Sequence, residues 1–186
     1  MLVPLPILDT ECLILRPIIT SDAKDIFEYA KDFQITKFVP WYPHKTIDDT
    51  NQFVNKIIKG YEEKKSGPWA IVYKANNKVI GTIGFDQNRK RENISESSVN
   101  FGYCLSRAYW GQGLIVEASL ITIEYLFNST DIIEVRAFVQ VGNKQSERVL
   151  EKLGFKKDPT IRKKEISKGQ EIELECWILS KSFFSF

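Results

Sequence analysis

A chain of 186 residues, 43% apolar and 27% charged, has the length for one domain with a sizeable core and the balance of a globular protein. A net charge of +2 promises no broad basic surface, which argues against a nucleic-acid-binding role. No apolar run reaches membrane-spanning length, and residues 1–6 are too short and too broken by proline for a secretory leader, so a cytoplasmic protein without membrane attachment is expected. Three cysteines, Cys12, Cys104 and Cys176, fall in predicted strands with no CxxC pairing, so they read as small buried thiols, and no metal site is expected.

Along the chain, alternating apolar residues predict a strand over 12–16 that Pro17 ends, and Thr20, Ser21 and Asp22 offer N-caps for a helix through Ile26, Phe27 and Ala30. Residues 34–44 show no period but carry Phe38, Trp41 and Tyr42. Thr46 to Asp49 reads as the cap of a second helix, with Phe53, Val54, Ile57, Ile58 and Tyr61 at helical spacing and Ser66-Gly67-Pro68 as its break. A strand over 69–73, a turn at Asn76-Asn77 and a strand over 78–85 follow. Residues 86–97 are polar and read as a loop. The remaining order is strand 98–105, helix 113–127, strand 132–139, helix 143–153 and strands near 155–162 and 172–179. Strands first, then strands alternating with helices, imply an α+β layer built on a mixed sheet. The basic clusters Arg89-Lys90-Arg91, Lys156-Lys157 and Arg162-Lys163-Lys164 read as solvated loops or strand ends.

The most informative run is Arg107 to Ala118, at the junction between the strand over 98–105 and the helix over 113–127. Gly111 and Gly113 let the backbone approach a ligand closely, and the free N–H groups of a helix start favour an anion such as a pyrophosphate. Leu114-Ile115 do not continue as a P-loop would, and Val116 stands where a dinucleotide fingerprint has its third glycine; a plain tight turn is the other reading.

Tyr109-Trp110-Gly111-Gln112-Gly113 with Glu117-Ala118 resembles the acetyl-CoA loop of the GNAT N-acetyltransferases, specifically their RimJ/RimL-like branch. The block from Asn143 through Ser146 to Leu153-Gly154-Phe155 is similar to that branch's Asn-x-x-Ser helix ending in Leu-Gly-Phe, and Thr10 to Pro17 to its first strand. The resemblance covers about residues 8–179 and identifies residues 1–186 as a single GNAT domain. It implies a mixed, mostly antiparallel central sheet with helices on both faces. The strands over 98–105 and 132–139 would splay apart and hold acetyl-CoA, the acetyl donor, in the gap.

The resemblance also distributes roles. Backbone groups at Cys104, Leu105 and Ser106 would pair with the pantetheine arm. The N–H groups of Trp110, Gly111, Gln112, Gly113, Leu114 and Ile115 would hold the pyrophosphate, with Arg107 as a further phosphate contact. Asn143 would steady the pantetheine, and the Ser146 hydroxyl would serve the leaving thiolate, although Asn143 is equally a good helix N-cap. Gly154 reads as a left-handed helix C-cap with Phe155 folded back on the helix. Where branch members often carry Glu before Gly-Tyr, this chain has Asn100, which cannot take a proton from an amine. Three readings stay open: another carboxylate such as Glu96, four residues earlier, serves directly or through water if the strand extends that far; an already neutral amine needs only a water chain; or the protein mostly binds. Tyr103 is a further polar candidate. Trp41, Tyr42, Trp69 and Asn100 are expected to line the acceptor side, with the lone His44 nearby.

The implied activity is acetyl transfer from acetyl-CoA to a primary amine, on a small molecule or a protein N-terminus, by direct attack in a ternary complex. The alternative is a non-catalytic acyl-CoA sensor, motivated by Asn100. A monomer or a homodimer is expected, and the aromatic end Phe183-Phe184-Ser185-Phe186 either tucks onto the core or meets a partner subunit.

Overall fold

The computed structural model describes residues 5–63, 67–86, 95 and 97–184. Eight strands form one sheet in the order β1-β2-β3-β4-β5-β6-β8-β7. They are β1 (Leu8–Asp9), β2 (Leu13–Pro17), β3 (Trp69–Tyr73), β4 (Lys78–Asp86), β5 (Ser98–Leu105), β6 (Glu134–Gln140), β7 (Lys156–Ser167) and β8 (Gln170–Ser180). Every neighbouring pair is antiparallel except β5 and β6, which run parallel. Their ladder holds three register pairs, Ser98 with Glu134, Val99 with Val135 and Asn100 with Arg136. Beyond Asn100 the two strands part, which is the splay the resemblance implied.

Side-chain alternation distributes each strand between two cores. On one face Ile14, Ala70, Val72 and Val79 meet α1 (Ala23–Ala30), α2 (Phe33–Thr36) and α3 (Ile47–Glu62). On the other, Leu13, Leu15, Trp69, Ile71 and Ile83 meet α4 (Leu114–Ser129) and α5 (Lys144–Lys152). The Thr46 capping box starts α3 as the sequence suggests: its side chain accepts from the Asp49 amide, and Asp49 accepts from the Thr46 amide. In α4 the buried Ser119 and Thr122 hydroxyls are satisfied by helix carbonyls of Ile115 and Ala118, so a nearly all-apolar helix can sit inside the protein. The Glu117 carboxylate accepts the Cys12 amide at 2.7 Å and pins α4 to the start of β2. No described helix is long and apolar enough to cross a membrane.

Two expectations change. The aperiodic stretch 34–44 contains part of a one-turn helix, α2, whose N-cap Asp32 accepts the Gln34 amide at 2.8 Å. Strands β7 and β8 are longer than their apolar residues suggest, because Lys168 and Gly169 take φ of 52° and 77° and close them as a primed hairpin. Most of the 86–97 loop, including Arg89-Lys90-Arg91 and Glu96, lies outside the described residues. At the C-terminal end Phe184 packs edge-on against Phe127 with ring centroids 5.6 Å apart, while Phe183 is 82% exposed.

Candidate functional site

The Gly-x-Gly run is built from a braced strand end. After β5 the chain makes a short 3-10 turn in which the Trp110 amide donates to the Arg107 carbonyl. The Trp110 indole donates to the Leu105 carbonyl at 2.8 Å, and its ring packs on both cores. Gly111 and Gly113 then take φ of 77° and 82°, left-handed values that any side chain resists, with open space where a Cβ would stand. Among the described residues, the amides of Gly111, Gln112, Gly113, Leu114 and Ile115 meet no protein acceptor; the first bonded amides are those of Val116 and Glu117, both on the Gly113 carbonyl. Five consecutive N–H groups at the positive end of a sixteen-residue helix make a receptor for a pyrophosphate-like anion. Trp110 stands apart from this set, since its amide is already used and its side chain braces the strand.

The neighbouring expectations resolve unevenly. The Ser106 amide donates back to Ile80 of β4 at 2.7 Å, so alternation turns the main-chain groups of Cys104 the same way and leaves those of Tyr103 and Leu105 facing the gap. Of the three residues expected to pair with a pantetheine arm, Leu105 therefore has the matching orientation. Arg107 is 3.0 Å from Asp32, an ion pair whose arginine side is 60% exposed. Burial pushes the Cys104 thiol up to about 12, so it holds little nucleophilic thiolate at neutral pH.

Tyr103 on β5 and Ser146 on α5 meet with their hydroxyl oxygens 3.0 Å apart. Burial, opposed by the Ser146 hydrogen bond, pushes the Tyr103 phenol up to about 12, so it keeps its proton throughout the neutral range. Asn143 is the N-cap of α5: its Oδ1 accepts the Ser146 amide at 3.3 Å. The other end of α5 closes as expected. Gly154 has φ 85°, its amide reaches the Glu151 carbonyl, and the Phe155 amide reaches that of Leu150.

A cavity of about 210 Å3 lies where β5 and β6 begin to part. Asn100 and Phe101 of β5, Phe138 of β6, Lys163, Glu165 and Ser167 of β7, Ile172 and Leu174 of β8 and the segment 38–40 line it, and it opens to solvent. The Lys168 ammonium donates to the Thr36 carbonyl, fastening the β7–β8 hairpin tip to α2. Of the four residues expected to line the acceptor side, Asn100 lines this cavity. Trp69 does not: it is fully buried in the α4-side core, and its indole donates to the Pro6 carbonyl at 2.9 Å. Tyr42 is 64% exposed. Trp41 packs 5.4 Å from the His44 ring in a separate small recess against α1 and α3. Desolvation lowers the His44 pKa, and its Nδ1 lies 2.8 Å from the Thr50 hydroxyl. Lys163 and Glu165 were missed because Arg162-Lys163-Lys164 reads as a solvated charge run. The period-two row Lys163, Glu165, Ser167 was the signal that could have found them.

With this geometry in place, comparison with known proteins is informative. The sequence model of a family described as "Acetyltransferase (GNAT) domain" matches residues 13–156. The "Uncharacterized N-acetyltransferase p20" of Bacillus licheniformis is 31% identical over 175 residues, which cover 92% of this chain and 94% of that protein. Among solved structures, a GNAT-family acetyltransferase from Bacillus anthracis superposes with a TM-score of 0.80 at 23% identity, covering 95% of this chain and 99% of that one. RimL, a ribosomal L7/L12 alpha-N-protein acetyltransferase solved with coenzyme A, superposes at 0.77 with 16% identity, covering 94% and 98%.

Proposed function

The chain belongs to the GNAT acetyltransferase family, and from that premise we propose that it moves the acetyl group of acetyl-CoA to a primary amine, as a RimJ/RimL-like member, by direct attack in a ternary complex. It is an acetyl-CoA-dependent acyltransferase. The observation that carries the donor half of this reading is the run of amides at residues 111–115 without a partner among the described residues, in the turn that follows β5. A diphosphate placed there would take N–H donors that the fold leaves unused, at no cost in broken protein hydrogen bonds.

The remaining roles follow from what each residue can offer. Leu105 presents its strand-edge amide to a pantetheine carbonyl, its own carbonyl already accepting from the Trp110 indole, and Asn143 holds the first turn of α5 in place. Arg107 can exchange Asp32 for a phosphate, since an exposed ion pair is worth at most about 1 kcal/mol. Ser146, backed by Tyr103, offers a hydroxyl to the thiolate that departs as the new amide bond forms. Asn100 contributes to the acceptor cavity and cannot serve as a base. The protonated Cys104 thiol favours direct attack over an acyl-enzyme. Cys12, Cys104 and Cys176 form no disulfide among the described residues, which suits a reducing compartment such as the cytoplasm.

The test is thiol release from acetyl-CoA across small amines, polyamines, amino acids and peptides with free N-termini. The reading expects release that depends on the amine. Release at one rate whatever amine is present would contradict it.

A further inference from the structure

The acetyl-transfer reading leaves open which group takes the acceptor's proton and what kind of amine enters. Building on that reading, we propose that Glu165 is the proton acceptor and that the acceptor is a primary ammonium carried on a compact, apolar body. The cavity beside the parting strands supplies both halves of the argument.

The position is right for the reaction. Asn100 is the last β5 residue in register with β6, so the cavity wall it forms adjoins the point where the gap opens. The cavity's lining includes two titratable side chains, Lys163 and Glu165, two residues apart and so on one face of β7. The other walls, from β5, β6, β8 and the segment 38–40, bring no ionisable group to face the carboxylate. Glu165 is thus the cavity's single carboxylate among the described residues. Its side chain is 37% exposed, which lets a captured proton pass on to water.

The cavity also displays the recognition it offers. The Lys163 ammonium sits 3.6 Å from a Glu165 carboxylate oxygen and 5.5 Å from the centroid of the Phe138 ring. A carboxylate and an aromatic face are partners an ammonium takes, and an incoming one would displace Lys163 from both. Phe38, Val39, Pro40, Phe101, Ile172 and Leu174 add apolar walls, and Asn100 and Ser167 add two polar ones. A volume of about 210 Å3 is below the roughly 300–1,000 Å3 of clefts that hold drug-sized ligands, so the group admitted is small.

The proton balance closes without another reagent. One proton of the bound ammonium goes to Glu165 and on to water. The amine's lone pair attacks the thioester carbon, the C–N bond forms and the C–S bond breaks. A second nitrogen proton ends on the coenzyme's sulfur, and the third stays on the amide.

Thiol release is measured for the full chain with isobutylamine, phenethylamine, spermidine and short peptides beginning with Ala or Ser. The small amines and the peptides separate a metabolite from a protein N-terminus as the source of the ammonium. The proposal expects compact apolar amines or apolar N-terminal residues to exceed spermidine. Glu165→Gln, isosteric and on a half-exposed edge strand, is expected to lower kcat/KM about a hundredfold. That deficit should shrink as pH climbs toward the amine's own pKa near ~10, where the neutral amine needs no base. Asn100→Glu added to Glu165→Gln, which returns a carboxylate to the opposite wall, should recover at least about tenfold of the loss. Calorimetric titration of phenethylamine without acetyl-CoA should give weaker binding to Glu165→Gln. Wild-type turnover that Glu165→Gln leaves unchanged at every pH overturns the assignment of Glu165 alone. No amine-dependent release by the wild-type chain overturns acetyl transfer and this inference with it.

Discussion

The hydroxyls of Tyr103 and Ser146 lie 3.0 Å apart and link β5 to the first turn of α5. A serine hydroxyl held this way can donate to a developing thiolate while accepting from a phenol that stays protonated. Hydrogen bonds to charged groups are worth about 1.5–3 kcal/mol, so Ser146→Ala is expected to lower kcat about 10- to 100-fold with KM for acetyl-CoA little changed. Tyr103→Phe should cost less, and the double variant should be no worse than Ser146→Ala, because both act through one donor. Steady-state kinetics on the three variants measures this.

Gly113→Ala should report on the anion loop. With φ of 82° and no neighbour near the missing Cβ, the cost is conformational, about 1–2 kcal/mol, with no clash. Part of it appears as a lower melting temperature and part as weaker donor binding. The expected result is an acetyl-CoA Kd raised about tenfold by calorimetry, with the acceptor KM unchanged.

Glu117→Ala removes the acceptor that the Cys12 amide uses across 105 residues of chain. Leaving that amide unsatisfied should destabilise the fold by about 1–3 kcal/mol in urea titration. Glu117→Gln, which keeps an acceptor oxygen, should recover most of it.

Alkaline pH should unfold the chain in a defined window. Burial raises the Cys104 thiol from 9.0, and the Tyr61 and Tyr103 phenols from 10.0, each to about 12. The native state therefore holds these protons where the unfolded chain has lost them. The stabilisation is complete below pH 9 and falls away between 9 and 12. Melting temperature should hold up to about pH 9 and then drop, and Cys104→Ala should delay the onset toward pH 10, where the phenols take over.

The sequence disclosed what is set locally. Thr46 and Asp49 cap α3 because a capping box needs four adjacent residues, and Gly111 and Gly113 mark a turn whose left-handed φ values favour glycine. The β5–β6 parting follows Asn100 as the family resemblance implied. Trp69 was misplaced because its aromatic character was weighed ahead of its strand parity: Trp69 and Ile71 share the face that meets α4, while Ala70 and Val72 face α1 and α3. The cavity beside Asn100 was hidden for a different reason. Its walls come from residues 38–40, 100, 101, 138, 163, 165, 167, 172 and 174, and only the completed sheet order, with β8 between β6 and β7, brings Glu165 and Asn100 to one cavity. The Arg107–Asp32 pair likewise depends on where α2 docks, which no local pattern announces.

The most direct test of acetyl transfer to an amine is to follow the label from carbon-13 acetyl-CoA by mass spectrometry with the fastest amine of the panel. The account predicts that the label appears on the amine nitrogen as an amide, in step with thiol release, and that none is found on the protein after an acid quench. Label recovered as free acetate, or bound to the chain at Cys104, would contradict direct transfer to an amine.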